Sequence, residues 1–457
     1  MRFVCVALLV VNIVSGVAAT APAGGIDICR THPRYWQYEG RPVLLLGGTK
    51  DDSLFQIPDL KEHLDLLASV GGNYVRNTMS ARIDKGFEVQ AFARRDDGKY
   101  DLQKWNPEYW RRFENLLTWA EERDIIVQIE VWDRFDYSRN HWETSPYNPK
   151  NNVNYTGAES GFAERYPHHP GRNDQPFFFT TPAQRNNKRI LKIQQRFIDK
   201  MLSISLKHGN VLYCMDNETS GQPAWGAYWA RYIQGKAKAA GVKVHTTEMW
   251  DAWDLANAQH NATFDHPELY SFVDISQNNH QKKQAHWDNA QKQRQRIANQ
   301  PRPLNSVKIY GADTGRYGGG RDAMERFWRN IFGGLASSRF HRPDSGLGLS
   351  APAQANIKSM RMLTDKMDVF TCEPHNDLLS QRESNEAYCL AHPGREYAVY
   401  FPDGGEVVLD VGAKSGTVEV RWLDVMAAQW KAPQQVKAAG GLKLTCPSKG
   451  YWAVLVK

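Results

Sequence analysis

The sequence predicts a (β/α)8 barrel followed by a small antiparallel β-sandwich, and three observations carry this reading. Short apolar runs of strand length alternate with amphipathic helical segments from residue 43 to residue 366. Each apolar run ends in polar or charged residues. From about residue 367 the pattern changes to β-rich segments separated by glycine turns, as in a sandwich. The chain has 457 residues, too many for one ordinary core, which agrees with two domains.

In order, Met1 to Ala19 reads as a secretory leader, with Arg2 before an apolar run from Phe3 to Val14 and small residues after it. Its apolar core is short for a bilayer span, and no later segment is apolar enough to cross one. The expectation is a secreted or periplasmic protein without a membrane span. The first strand is Val43 to Leu46, leading to Gly47-Gly-Thr-Lys-Asp51-Asp52. A helix follows over 58–70, with Leu60, His63, Leu64 and Leu67 on one face, and Asn73 to Asn77 is the second strand. Asn106-Pro107 starts the next helix, with a capping side chain and proline in the first turn. Ile125 to Val131 is strand three, running into Trp132-Asp133. The aromatic-rich loop 134–180 is unusually long, and such loops tend to be functional.

Strand four, Val211 to Met215, stops in Asp216-Asn217-Glu218. Strand five is Lys243 to Thr247, ending at Glu248-Met-Trp250-Asp251. Strand six is Phe272 to Ser276, strand seven Val307 to Tyr310 and strand eight Leu335 to Phe340. The barrel is placed at 25–369 and the sandwich at 370–457. No Gly-x-Gly-x-x-Gly follows the first strand, so a dinucleotide site is not indicated.

A barrel gathers the carboxyl ends of its strands at one mouth. The residues expected there are Asp51, Asp52, Arg76, Asn77, Glu130, Trp132, Asp133, Asp216, Asn217, Glu218, Glu248, Trp250, Asp251, Asn278, His280, Asp313, Arg339, His341 and Arg342. Carboxylates beside aromatic faces suit glycosidic cleavage. One acid protonates the leaving oxygen, a second carboxylate attacks the anomeric carbon or activates water, and the rings stack on sugars. The net charge of +7 is dispersed, with no basic run for nucleic acid, and it mildly favours an anionic glycan as partner. No Cys/His cluster argues for zinc, and the chemistry needs no cofactor. Three of the five cysteines beyond the leader (Cys372, Cys389 and Cys446) lie in the last quarter of the chain, where one disulfide is expected without a fixed pairing.

Asn217-Glu218 after strand four resembles the Asn-Glu pair of the large clan of (β/α)8 retaining glycoside hydrolases. The chain as a whole resembles the apiosidase-like glycoside hydrolases, whose C-terminal domain carries a collagen-binding label. The matching stretches are Pro42 to Gly48, Trp105-Asn-Pro-x-Tyr-Trp110, Pro146-Tyr-Asn-Pro149 with Asn151-Asn-Val-Asn154, Asn217-Glu-Thr, Arg339-Phe-His-Arg-Pro343 and the tail from Glu373-Pro-His to Trp452. The resemblance implies a glycosidase with Glu218 as acid/base, which requires a raised pKa. It also implies a Glu at the end of strand seven, and this chain has none. Asp313 is the nearby carboxylate, on an arm shorter by ~1.5 Å, where retaining pairs sit ~5–5.5 Å apart and inverting pairs ~6.5–9.5 Å. Asp313 is thus the expected nucleophile, or the base of an inverting enzyme, with Glu248 the alternative second carboxylate. The rival reading is a catalytically dead carbohydrate-binding or adhesion protein.

Overall fold

The computed structural model describes residues 24–312 and 315–457. The leader expected at 1–19 and the candidate nucleophile Asp313 lie outside them. The barrel strands are β1 (Leu45–Gly48), β2 (Tyr74–Thr78), β3 (Ile126–Asp133), β4 (Val211–Asn217), β5 (Thr246–Thr247), β6 (Val273–Asp274), β7 (Leu304–Asn305) and β8 (Ser337–Phe340). Strands β8, β1, β2, β3, β4 and β5 form one continuous parallel sheet, with Ser337 opposite Leu45, Tyr74 opposite Ile126 and Val127 opposite Val211. β6 pairs with β7, and the segment after β7 reaches β8 through Ile309 N–H to Arg339 O at 3.0 Å and His341 N–H to Ile309 O at 3.1 Å. The remaining seam, between β5 and β6, is bridged by side chains: the hydroxyls of Thr246 and Thr247 donate to the carbonyls of Leu269 and Phe272.

Helices α1 (Leu60–Ser69), α2 (Pro107–Glu121), α3 (Lys188–Ser205), α4 (Pro223–Ala239), α5 (Lys283–Arg296), α6 (Gly320–Phe332) and α7 (Ala351–Thr364) surround the strands. The faces predicted from periodicity are those buried, including Leu60, Leu64 and Leu67 on α1 and Trp110, Phe113 and Leu117 on α2. Asn106 caps α2, its side chain accepting from Glu108 N–H at 3.1 Å. Between β5 and β6 the α-helical piece is one turn at Asn261–Phe264, so the fifth unit lacks a long covering helix.

The loop 134–180 is a packed insertion. Trp142, Tyr147, Tyr155 and Phe177 are buried in it, and Tyr137 stacks on Phe177 at 4.5 Å. Its return arm meets the end of β4, where the Asn173 amide donates to Ser220 O and accepts from Arg134.

The C-terminal sandwich is built from β9 (Tyr388–His392), β10 (Glu396–Phe401), β11 (Glu406–Asp424), β12 (Gln434–Thr445) and β13 (Trp452–Val456), all antiparallel. The long β11 pairs with β12 along both its halves, with a register shift between Asp410 and Ser415, and with β13 at its end. Trp328 of α6 stacks on Tyr400 of β10 at 4.8 Å, so the barrel core continues into one face of the sandwich. The expected disulfide does not form: Cys372, Cys389 and Cys446 are unpaired, as are Cys29 and Cys214. Among the described residues no helix is long and apolar enough to cross a membrane.

Closure of the barrel demands that β1 and β2 approach closely at Gly47, where an added Cβ would sit 1.8 Å from the Tyr74 carbonyl oxygen. Backbone cannot yield there as a flexible side chain would. Gly47→Ala is predicted to cost about 1–3 kcal/mol and so to lower the Tm by about 1–3 °C in a chain of this length; an unchanged Tm would contradict this packing.

Candidate active site

The mouth is organised by a chain of polar contacts running from the seventh strand segment to β4 and β3. Lys308 and Tyr310 alternate in the run Val307-Lys-Ile-Tyr310, so both project to one side. Lys308 Nζ lies 2.9 Å from Glu218 Oε1 and also donates to Asn217 Oδ1. The Tyr310 hydroxyl donates to the same Glu218 oxygen at 2.9 Å. The Asn217 amide donates to Asp133 Oδ2 at 2.8 Å. Glu218 occupies the left-handed region at φ 47°, a conformation costing a non-glycine residue about 1 kcal/mol or more and typical of sites that aim a side chain.

These contacts set the charge on Glu218. Burial pushes its carboxyl up, but the Lys308 charge and the hydrogen bonds from Lys308 and Tyr310 overturn that, leaving it below the ordinary value of 4.5. The raised pKa that a resting proton donor needs is therefore absent from Glu218. Lys308 is 2% exposed and the Glu218 side chain 14%, so the pair sits in little water.

Beneath this layer a second set of expected residues neutralises itself. Arg76, fully buried, bonds Asp52 and Glu130 with its two terminal nitrogens. Arg342 at 3.0 Å, Arg82 at 3.3 Å and His341 at 3.8 Å also face Asp52. Burial raises the Asp52 carboxyl, and Arg76 followed by the other three more than reverses this, so it stays well below 3.8. Asp133 moves the other way: burial and the nearby Asp136 charge raise it well above 3.8. His341 is driven well below 6.5 by burial, and its ring packs edge-on against Tyr310 at 4.8 Å.

Other expected residues are engaged in the core, with backbone or with neighbouring side chains. Glu248 is buried, an added Cβ at Gly226 of α4 would lie 1.7 Å from its Oε2, and neither carboxylate oxygen makes a well-formed hydrogen bond. Burial raises its pKa well above 4.5, and the Asp216 charge raises it further. Trp132 is a core residue packed on Phe177, Phe197 and Trp229, because its strand position faces α3 and α4. Trp250 is buried with its indole N–H on Thr263. Asn278 is bound to His286 O and Asn289, and Asn77 accepts from Phe55 N–H, so both amides hold backbone. Asp51 receives Ser53 N–H and Lys85.

His280 does reach the rim. It packs against Tyr317 at 5.0 Å and Trp253 at 6.2 Å, Tyr317 lies 4.5 Å from Tyr310, and Trp253 is 59% exposed. Burial and the Arg316 charge lower His280 to about 4, leaving it neutral at pH 7. This aromatic wall is a sugar platform in kind. Sequence reasoning missed Lys308, Tyr310, Tyr317 and Arg82. The visible signal was a lysine inside an apolar strand run, where a charge needs a partner.

Among the described residues no cluster of His, Cys, Asp and Glu is arranged to hold a metal ion. No family model and no curated protein matches the sequence. Solved structures do match in fold. A glycoside hydrolase family 5 structure from Bacteroides vulgatus aligns with a TM-score of 0.63 at 12% identity, covering 95% of this chain and 93% of that one. A structure described as a glycoside hydrolase gives 0.61 at 11% identity, covering 95% and 96%. An α-amylase from Geobacillus thermoleovorans gives 0.57 at 10% identity, covering 91% and 98%. At such identities the likeness speaks for the fold.

Arg76→Met is predicted to leave Glu130 without its cation and take from Asp52 its strongest one, costing about 3–5 kcal/mol at neutral pH. A carboxyl with a depressed folded-state pKa stabilises the fold above its ordinary value and loses that contribution as pH falls through the folded value. The gap between wild type and variant should therefore narrow as pH drops below 3.8. Urea titrations across pH check this; a gap that widens in acid would contradict it.

Proposed function

We propose that this chain is a glycoside hydrolase working at the barrel mouth with two carboxylates. The observation that carries the reading is Glu218, aimed by a left-handed backbone at the end of β4, held ionised by Lys308 and Tyr310 beside the wall of Tyr317, His280 and Trp253. That arrangement supplies a positioned anion for an oxocarbenium-like transition state and flat apolar faces for pyranose rings. The likeness in fold to glycoside hydrolase structures supports the same reading.

The finer assignments rest on the sequence. Membership of the apiosidase-like group, with its C-terminal domain labelled collagen-binding, follows the matched motifs, and export follows the leader pattern. A retaining outcome is proposed because an ionised, hydrogen-bonded Glu218 suits attack on the anomeric carbon. An acidic glycan is the proposed substrate class, since the exposed Arg316 lies over the Tyr317 ring of the aromatic wall and the chain carries +7 overall.

Glu218→Gln is predicted to lower kcat/KM by about 10³-fold or more while glycan affinity by calorimetry stays within a few fold. Glycan binding by the wild type with no hydrolysis of any member of a glycan panel would instead establish a binding protein. Lys308→Met removes the charge that depresses the Glu218 pKa, so the acidic limb of the kcat/KM profile should move to higher pH. An unmoved limb would mean that Lys308 does not control Glu218.

A further inference from the structure

Two acidic groups are needed for glycosidic cleavage, and most carboxylates at the described strand ends are already committed. Asp52 and Glu130 are held by Arg76, Asp133 by Asn217, Asp216 by Arg134, and Glu248 lies shut behind Gly226. Asp251 differs. It is partly exposed, and its carboxylate has no hydrogen-bond or ion-pair partner among the described residues. Its place is fixed by backbone: Asp251 N–H donates to Thr219 O at 2.9 Å and Thr219 N–H donates to Met249 O at 2.8 Å, with Thr219 and Trp250 in a parallel bridge. Asp251 is thereby tied to the residue that follows Glu218. The exposed Trp253 stands two residues on in the same loop.

Resting on the glycosidase reading above, we propose that Asp251 is the proton donor and Glu218 the nucleophile, reversing the role that the Asn-Glu resemblance gives Glu218. In the first step the Glu218 carboxylate bonds to the anomeric carbon while the bond from that carbon to the glycosidic oxygen breaks. The Asp251 carboxylic acid gives its proton to that oxygen, and the aglycone leaves as an alcohol. In the second step the Asp251 carboxylate takes a proton from water as the water oxygen bonds to the anomeric carbon. As that bond forms, the bond from the anomeric carbon to Glu218 breaks and Glu218 leaves as a carboxylate. Asp251 holds the proton from water, and both carboxyls return to their starting states.

The electrostatics agree with this division of labour. Burial raises the Asp251 carboxyl above 3.8 and the Glu218 charge raises it further, against smaller opposing effects from His169, Lys308 and Arg316. Glu218 is shifted in the opposite direction. Opposite shifts on neighbouring acids, one favouring the anion and one the protonated form, are what nucleophile and donor roles require.

The test compares wild type, Asp251→Asn, Glu218→Gln and Asp313→Asn on matched nitrophenyl and dinitrophenyl glycosides, with sodium azide as external nucleophile. A dinitrophenolate departs without protonation. Asp251→Asn should therefore lose about 10²-fold or more on the nitrophenyl substrate and under tenfold on the dinitrophenyl one. It should also yield glycosyl azide with azide present, and lose the alkaline limb of its kcat/KM profile. Glu218→Gln should lose both substrates alike. The proposal is overturned if Glu218→Gln or Asp313→Asn shows the leaving-group dependence, or if Asp251→Asn loses both substrates equally in a protein with wild-type Tm and circular dichroism. Should Asp251→Asn fold poorly, Asp251→Glu serves in its place. Retained activity with a displaced alkaline limb supports the assignment, and an unmoved limb overturns it. Wild type inactive on every aryl glycoside and every member of the glycan panel sinks the glycosidase reading itself, a failure distinct from a wrong donor.

Discussion

Lys308 brings a full positive charge to a position 2% exposed, where an ammonium without partners would be several kcal/mol out of place. It stays because two neighbours on β4 meet it, Asn217 through its amide oxygen and Glu218 through its carboxylate. Asn217 can present that oxygen only because its nitrogen is anchored on Asp133 of β3. Glu218 can reach only because its backbone turns left-handed as the strand ends. One buried cation thus meets the amide of Asn217 and the carboxylate of Glu218, two adjacent residues at the end of β4, and sets the charge of the second. Removing any member leaves another buried polar group unpaired, so the set behaves as a unit.

The consequence for chemistry is a separation of acids. The barrel interior holds many carboxylates, but Arg76 and its companions fix the lower ones as structural anions. Burial behind α4 neutralises Glu248. What remains near the opening is Glu218, pulled down by Lys308, and Asp251, pushed up by burial and by Glu218. A lysine in the strand-seven segment has a physical reading in these terms: it holds the Glu218 carboxyl below its ordinary value. The aromatic wall of Tyr310, Tyr317, His280 and Trp253 lies on the same side as this pair and gives a sugar ring a surface to rest on.

Much of the fold was legible because parallel barrel strands are buried on both faces and read as apolar runs with abrupt polar ends. Strands β1 to β4 followed that rule, and so did the helix faces of α1 and α2. The rule weakened where the barrel did. Lys243 to Thr247 and Phe272 to Ser276 shrink to two-residue ladders, since threonine side chains take over hydrogen bonds that a longer ladder would make. Site residues were legible as a set and less so by role. Strand ends name which residues approach the mouth, but not which way each faces, and Trp132, Trp250 and Glu248 turned outward into helices and loops. Pairing was harder still. The links from Arg76 to Asp52, from Arg82 to Asp136 and from Lys308 to Glu218 join residues far apart in sequence, and only closure of the barrel brings them together.

The central claim is that Lys308 holds the Glu218 carboxyl below its ordinary value while burial and the Glu218 charge hold Asp251 above its own. Carbon-13 NMR of side-chain carboxyls, assigned by loss of single resonances in Glu218→Gln and Asp251→Asn, measures both titrations directly. The account predicts that the Glu218 resonance titrates below 4.5 and that of Asp251 above 3.8. A Glu218 that titrates above 4.5, or an Asp251 that titrates below 3.8, would contradict it.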